Sequence, residues 1–463
     1  MAITPLKVSR PGGAPAIPDV AEEGPIEQVR YACALGAMQT VAAIPRAIAI
    51  THCGPGCADK QCGALAFNNA YQGGGWGGLG VAPSTNATQR EVIFGGEDRL
   101  RELITHTLEL MEADLFVVLT GCIPDLIGDD VPAVVKEFQA RGAPLVHAGT
   151  GGFRGNNYFG HEVVTRAIID QFAGPYGGPR EAGLVNLWSA LPYQDPFWRG
   201  DLVELKRLLE GIGLRVNVLF GAGSAGVSEW RAIPRAQFNL VLSPWLGLAT
   251  AQHLQETYGQ PFLHEPVPPI GGRQTSGFLR RVAAYAGLPE AQTAAFIEAE
   301  ECDYYGYIEA FSEFYSQYRW GLPARFAAVG DAATTLALSS FAVRQLGLMP
   351  ACVVVTDNTP AEHRDAVRAA FLALDHDVSI EPHFAEDSYA VHAAIRAVDF
   401  GRKPPLIFGT TWERDLAKEL RGFILEVGFP ASYEVVLSRG YAGYRGALGL
   451  IERIYTTAIS RSA

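Results

Sequence analysis

Nowhere in the 463 residues does an apolar run reach the ~20 residues that a membrane-spanning helix needs, so no membrane role is expected. Basic residues are scarce. Lys plus Arg number 37 against 49 for Asp plus Glu, a formal charge of −12. Nucleic acid and anionic membranes are therefore excluded as main partners, because both call for a basic surface. There is no G-x-x-x-x-G-K-[ST] loop, which removes the usual phosphate cradle, and no nucleotide is expected on this chain. The start, MAITPLKVSRPGGAPAIPDV, has no apolar segment of the signal-peptide kind and reads as an extended arm. A cytoplasmic protein is expected. Cysteine is too rare, at seven residues, for a disulfide framework.

What is present is enough for a large core. Hydrophobic residues make up 48% and charged residues 19%, which excludes disorder as the main state. At about 150 residues per domain, the length suggests roughly three domains. Short apolar, β-branched runs alternate with longer amphipathic stretches. The predicted strands are Arg46–His52, Asp114–Thr120, Pro144–Ala148, Leu184–Trp188, Leu214–Phe220, Phe238–Ser243, Ala324–Gly330, Pro350–Thr356, Asp377–His383, Pro405–Gly409 and Phe423–Val427. Several are apolar throughout, as strands buried on both faces must be. Predicted helices include Asp98–Glu112, Leu202–Leu209, Asp331–Leu346 and Ala361–Leu372. The fold class is α/β, with three Rossmann-like, doubly wound parallel-sheet domains at 1–180, 181–300 and 301–463. The polar, aromatic stretch Gln292–Arg319 leads into the third, and its aromatics Tyr304–Tyr318 read as inter-domain packing. QGGGWGGLG at 72–80 is a loop.

The few cysteines are unevenly placed. Cys33, Cys53, Cys57 and Cys62 fall within thirty residues, Cys122 follows, and Cys302 and Cys352 lie far off and read as structural. Cys57 stands in THCGPGC, directly after a strand, and Cys122 in TGCIPDLIGDD repeats that arrangement. Strand ends of this kind are where α/β proteins bind ligands. Cys33, in YACALGA, precedes the first strand. Three thiols at equivalent edges can converge on one point, yet an iron–sulfur cluster takes at least about four, so the rest would come from another chain. The alternative is that each is a buried small hydrophobe. A local site from Cys53, Cys57 and Cys62 fits no familiar zinc or ferredoxin spacing.

Other signals are weaker. Gly221-Ala-Gly-Ser-Ala-Gly226 matches G-x-G-x-x-G, but Pro234 leaves little room for the helix that a dinucleotide site needs, so a tight turn is expected. His52 and His147 lie at strand ends, where a structural hydrogen bond is the plainer role. Asp129-Asp130 reads as a helix cap before Val131–Arg141.

Cys33 in CALGA, Cys57 in HCGPGC, Phe94-Gly95-Gly96 in EVIFGGEDRL and Cys122 in TGCIPDLIGDD together resemble the nitrogenase component 1 superfamily. LSPW at 242–245, VGFP at 427–430 and GYAGYRGALGLIERI at 440–454 extend the likeness over most of the chain. The catalytic α-type subunits of that family hold their cofactor through a Cys and a His. Ser243 and Ala442 stand at the matching positions here, so the resemblance is to the β (K) type.

It implies the nitrogenase component 1 β-subunit architecture. It also implies that Cys33, Cys57 and Cys122 ligate an interfacial 8Fe–7S P-cluster shared with an α-type (D) subunit in an α2β2 heterotetramer. An ATP-dependent iron protein, an H-type homodimer, would deliver electrons. The β pattern has Gly where Cys53 stands and lacks Cys62 and the QGGGWGGLG loop. HAGTGGFRGNN leaves either Thr150 or Gly152 where the family carries a Ser that can ligate the oxidised cluster. These departures make it similar to the K-type subunits of nitrogenase-like methylthio-alkane reductases, which cleave C–S bonds in sulfur salvage. The alternatives are a dinitrogen-reducing β subunit, a cofactor-assembly scaffold and a protochlorophyllide or chlorophyllide reductase subunit.

Overall fold

The computed structural model describes residues 27–76, 82–318 and 322–460. The expected N-terminal arm, Gly77–Gly80 of the glycine loop and Arg319 lie outside them. Twelve strands form three separate sheets among the described residues. Strands β1 (Ala47–His52), β2 (Leu115–Thr120) and β3 (Leu145–Ala148) make the first, in that order. The second contains β4 (Glu181–Trp188), β5 (Arg215–Asn217), β6 (Ala236–Val241) and β7 (Phe262–His264), ordered β5-β4-β6-β7. The third contains β8 (Arg325–Gly330), β9 (Met349–Val355), β10 (His383–Phe384), β11 (Leu406–Gly409) and β12 (Phe423–Glu426), ordered β10-β9-β8-β11-β12. Every strand pairing is parallel. The chain is therefore α/β with three helix-flanked parallel sheets, as the residue pattern implies.

The first sheet shows why its strands are apolar throughout. Ile48 and Ile50 of β1, with Phe116 and Val118 of β2, face a layer holding Leu100, Ile104, Val131 and Val134. Ala47 and Ala49, with Leu115, Val117 and Leu119, face the main core. Successive side chains point to opposite faces. Both faces are covered, so neither parity can be polar.

Helices Glu97–Leu110, Trp198–Gly211, Ala332–Leu346 and Ala361–Leu372 lie at the predicted places, with ends shifted by up to four residues. The predicted strand Asp377–His383 is not one: only His383–Phe384 pairs, with Val354 and Val355. The predicted strand Leu214–Phe220 keeps only its first part, because Leu219 takes a left-handed φ of 67° and its N–H turns to Glu229 Oε2 at 2.7 Å. The expected border at 300 falls inside the long helix Glu290–Tyr318. Along that helix Tyr304 packs on Tyr444 (5.9 Å between ring centres) and Phe311 on Tyr455 (4.9 Å), so the aromatic stretch seats the C-terminal helix Gly443–Ser460. Arg30, beside the first unit, forms a fully buried ion pair at 2.7 Å with Glu413 of the third.

Candidate functional site: three thiols at a sheet edge

The first sheet is parallel, so the loops after its strands gather at one edge. After β1 the chain runs Cys53-Gly54-Pro55-Gly56 and enters the helix Cys57–Phe67. Gly56 sits at a φ of 83°, a left-handed turn that aims Cys57 back over the edge. After β2, Gly121 leads into the helix Cys122–Ile127. After β3 comes the loop Gly149–Gly155, against which Cys33 is laid by its bridge to Asn156. Cys33, Cys57 and Cys122 are all exposed on this chain, whereas Cys53 is buried.

Gly152 is the meeting point. A Cβ there would lie 3.3 Å from both Cys122 Sγ and Cys33 Cβ, and 3.9 Å from Cys33 Sγ. The Gly152 N–H donates to Cys122 Sγ at 3.1 Å. Cys33 Sγ accepts from Gln61 Nε2 at 3.7 Å. The Cys57 thiol is pushed up, first by burial and then by the neighbouring sulfurs of Cys53, Cys33 and Cys122. The three predicted cysteines are thus brought together, with Cys53 as a fourth sulfur behind them. Among the described residues, no three His, Cys, Asp or Glu side chains are grouped closely enough for a single metal ion.

Thr150 does not reach it. Its hydroxyl is buried and donates to the Thr120 carbonyl at 2.8 Å. Gly152, with no side chain, occupies the place beside the sulfurs. The FGG motif is explained by His52. Its Nε2 meets Asp129 Oδ2 at 2.9 Å, its Nδ1 meets Thr85 Oγ1 at 3.0 Å, and Asp129 Oδ1 accepts from the Gly96 N–H at 2.9 Å. A Cβ on Gly96 would sit 2.6 Å from Asp129 and 2.7 Å from His52, so only glycine fits. Burial lowers the His52 pKa, partly opposed by Asp129. The His52 ring is held by structural hydrogen bonds, whereas at His147 it is the backbone N–H and C=O that bond to Gln171. Asp130, not Asp129, caps the next helix, accepting from Ala133 N at 3.0 Å.

Residues 32–459 match the family described as nitrogenase component 1 type oxidoreductase. The chain belongs to that family. A light-independent protochlorophyllide reductase subunit from Synechococcus elongatus is 29% identical over 81% of this chain and 73% of its own. The nitrogenase molybdenum-iron protein beta chain of Methanococcus maripaludis is 24% identical over 92% of this chain and 93% of its own. The solved chain titled nitrogenase Cp1 at pH 6.5 superposes with a TM-score of 0.76 at 19% identity, covering 95% of this chain and 94% of that one. This nitrogenase-like chain is a β-type oxidoreductase subunit related to both relatives.

The G-x-G-x-x-G stretch of this component 1 chain corrects one expectation. A helix, Val227–Ala232, does open directly after Gly226. The loop is nevertheless filled from within. Glu229 accepts from Leu219 N (2.7 Å), Ser224 Oγ (2.8 Å) and Ala225 N (3.0 Å), so its own carboxylate takes the place that a phosphate would need. Cys302 is also corrected: it is exposed on the long helix. Cys352 is buried in β9, which pushes its thiol up to about 12.

A second concave site lies between the second and third sheets, a cavity of about 70 Å³. Ser243 and Ala442 both line it, beside Asp195, Asp201, Asp331 and Asp357. Among the described residues, no Cys, His, Lys or Arg does. Burial pushes Asp201 up to about 7 and Asp357 to about 6. Asp201 Oδ1 accepts from the backbone N–H groups of Tyr441 (2.5 Å) and Ala442 (2.7 Å).

Sequence reasoning missed Gln61. Gln61 is the fourth residue after Cys57 on a helix, so a same-face signal was available.

Proposed function

We propose that this chain is the electron-relay, β-type half of a two-component reductase, and that Cys33, Cys57 and Cys122 hold an iron–sulfur P-cluster at the interface with an α-type partner. The observation carrying this reading is the meeting of Cys33 and Cys122 across Gly152, with Cys57 beside them. The donor set fits. Burial and then the neighbouring sulfurs oppose ionisation of Cys57, and a positively charged metal group would stabilise it as a thiolate. The Gly152 cradle leaves room that a Cβ would fill. Such a cluster, when bound, accepts and passes on electrons. The chain's part is to hold it by three thiolates, to aim an N–H at one of them and to leave the outer side open.

That outer side fits a protein partner. Phe153, Leu126, Ile93 and Phe94 are 56%, 71%, 71% and 82% exposed on the loops and short helices of this sheet edge. Three cysteines fall short of a full ligand set, so the remainder belongs to another subunit in an α2β2 assembly. An ATP-dependent iron protein would act as the transient electron donor. Among the described residues, the cavity with Ser243 and Ala442 has no thiol or imidazole, which favours a β-type role over a cofactor-bearing one.

The finer reading is reductive C–S cleavage of methylthio-alkanes, R–S–CH3 plus two electrons and two protons giving R–H and CH3SH in the partner's site. Its support is the departure of Cys53, Cys62 and the glycine loop from the dinitrogen-reducing pattern. Pigment reduction is the second reading, favoured by the protochlorophyllide reductase relatives. The test is iron content and electron paramagnetic resonance (EPR) of the purified complex, with assays for methanethiol, ammonia and chlorophyllide. Cys33→Ala, Cys57→Ala and Cys122→Ala should each lose most cluster iron, whereas Cys302→Ala should not. Full iron in all three variants overturns the ligand assignment.

A further inference from the structure

Two of the three exposed sulfurs are met from the protein side by a hydrogen-bonding group, and the two groups differ. Cys122 Sγ accepts the Gly152 backbone N–H at 3.1 Å. Cys33 Sγ accepts Gln61 Nε2 at 3.7 Å. Gln61 belongs to no motif that the family reading absorbs.

Gln61 is 3% exposed. Its Oε1 is buried with no hydrogen-bond partner among the described residues, while its Nε2 points at sulfur. A buried carbonyl oxygen left unmet is costly. The arrangement makes sense if the amide N–H meets an anionic sulfur, because a charge-assisted bond is about twice as strong as a neutral one.

We infer that Gln61 is a positioning residue that sets the reduction potential of the group held by Cys33, by donating one hydrogen bond to that ligand sulfur. This rests on the cluster reading above. Reduction places more negative charge on the sulfurs, so a donor stabilises the reduced form and removing it lowers the potential.

The experiment is an EPR-monitored redox titration of the purified complex. Gln61→Leu should lower the reduced-to-oxidised ratio at a fixed potential by between about threefold and tenfold, tenfold being about 59 mV for a one-electron step. An unshifted potential in Gln61→Leu at wild-type iron content overturns the inference and leaves the cluster reading standing. A wild-type complex without iron overturns the cluster reading itself. If Gln61→Leu loses its iron, hyperfine couplings of the wild-type complex in H2O against D2O decide. An exchangeable proton from Gln61 should add to that of Gly152, and a single coupled proton overturns the inference.

Discussion

The edge of the first sheet and the cavity between the second and third sheets occupy the same kind of place, the C-terminal ends of parallel strands. Their chemistry is opposite. The first is open and carries three exposed thiols, backed by Gly152, Gln61 and Cys53. The second is lined by four aspartates and, among the described residues, by no thiol, imidazole or basic group. One fold feature thus supplies two sites, and the side chains on the loops set their chemistry. At the first, burial and neighbouring sulfurs oppose the ionisation of Cys57. At the second, buried carboxyls relieve themselves by taking up protons, as the raised Asp201 and Asp357 do.

The contrast can be broken most strongly at Gly152. Gly152→Val should push Cys33 and Cys122 apart and cut iron content at least about tenfold, whereas Asp201→Asn should leave iron unchanged; iron analysis of the two complexes compares them. If Asp201→Asn removes the iron, the two sites are not separate.

Next comes acid sensitivity at the seam between the two regions. His161 is buried against Thr40, its Nδ1 2.9 Å from the Thr40 hydroxyl, and burial lowers its pKa to about 4. Its folded value lies below its unfolded one of about 6.5, so the unfolded chain takes the proton first. The contribution is full above about pH 6.5 and is lost as pH falls toward 4, about 3 kcal/mol in all. Urea unfolding at pH 7 and pH 4.5 should show a smaller loss for His161→Gln than for wild type.

Asp201 has the opposite sign. Its folded pKa is raised, so its contribution is present below about pH 4 and is lost as pH rises through 7. Asp201→Asn keeps an oxygen for the Tyr441 and Ala442 N–H groups and should gain about 2 kcal/mol relative to wild type at pH 8, measured by the same unfolding. The smallest effect belongs to Cys302. It is exposed, and Cys302→Ser should change stability by less than about 0.5 kcal/mol and iron not at all.

Much of the first sheet was legible because strands buried on both faces must be apolar runs, as β1 and β2 are. The edge strand β7 escaped notice because it is three residues long and only half-buried. Leu214–Phe220 misled because Val218, Leu219 and Phe220 are buried without joining the ladder; apolarity reports burial, not pairing. Asp377–His383 failed for the related reason that only its last residue reaches a neighbour.

The sequence by itself determined that this chain alternates strand and helix, and that Cys57 and Cys122 follow strand ends. Those are local matters of periodicity and turn chemistry. Only the tertiary structure decided that Gly152 and not Thr150 faces the sulfurs, that Glu229 fills the glycine loop, and that Ser243 and Ala442 share an acidic cavity. Each of these depends on groups from separate segments meeting within a few ångströms. Sequence spacing cannot set such distances, because the packing of whole sheets and helices does.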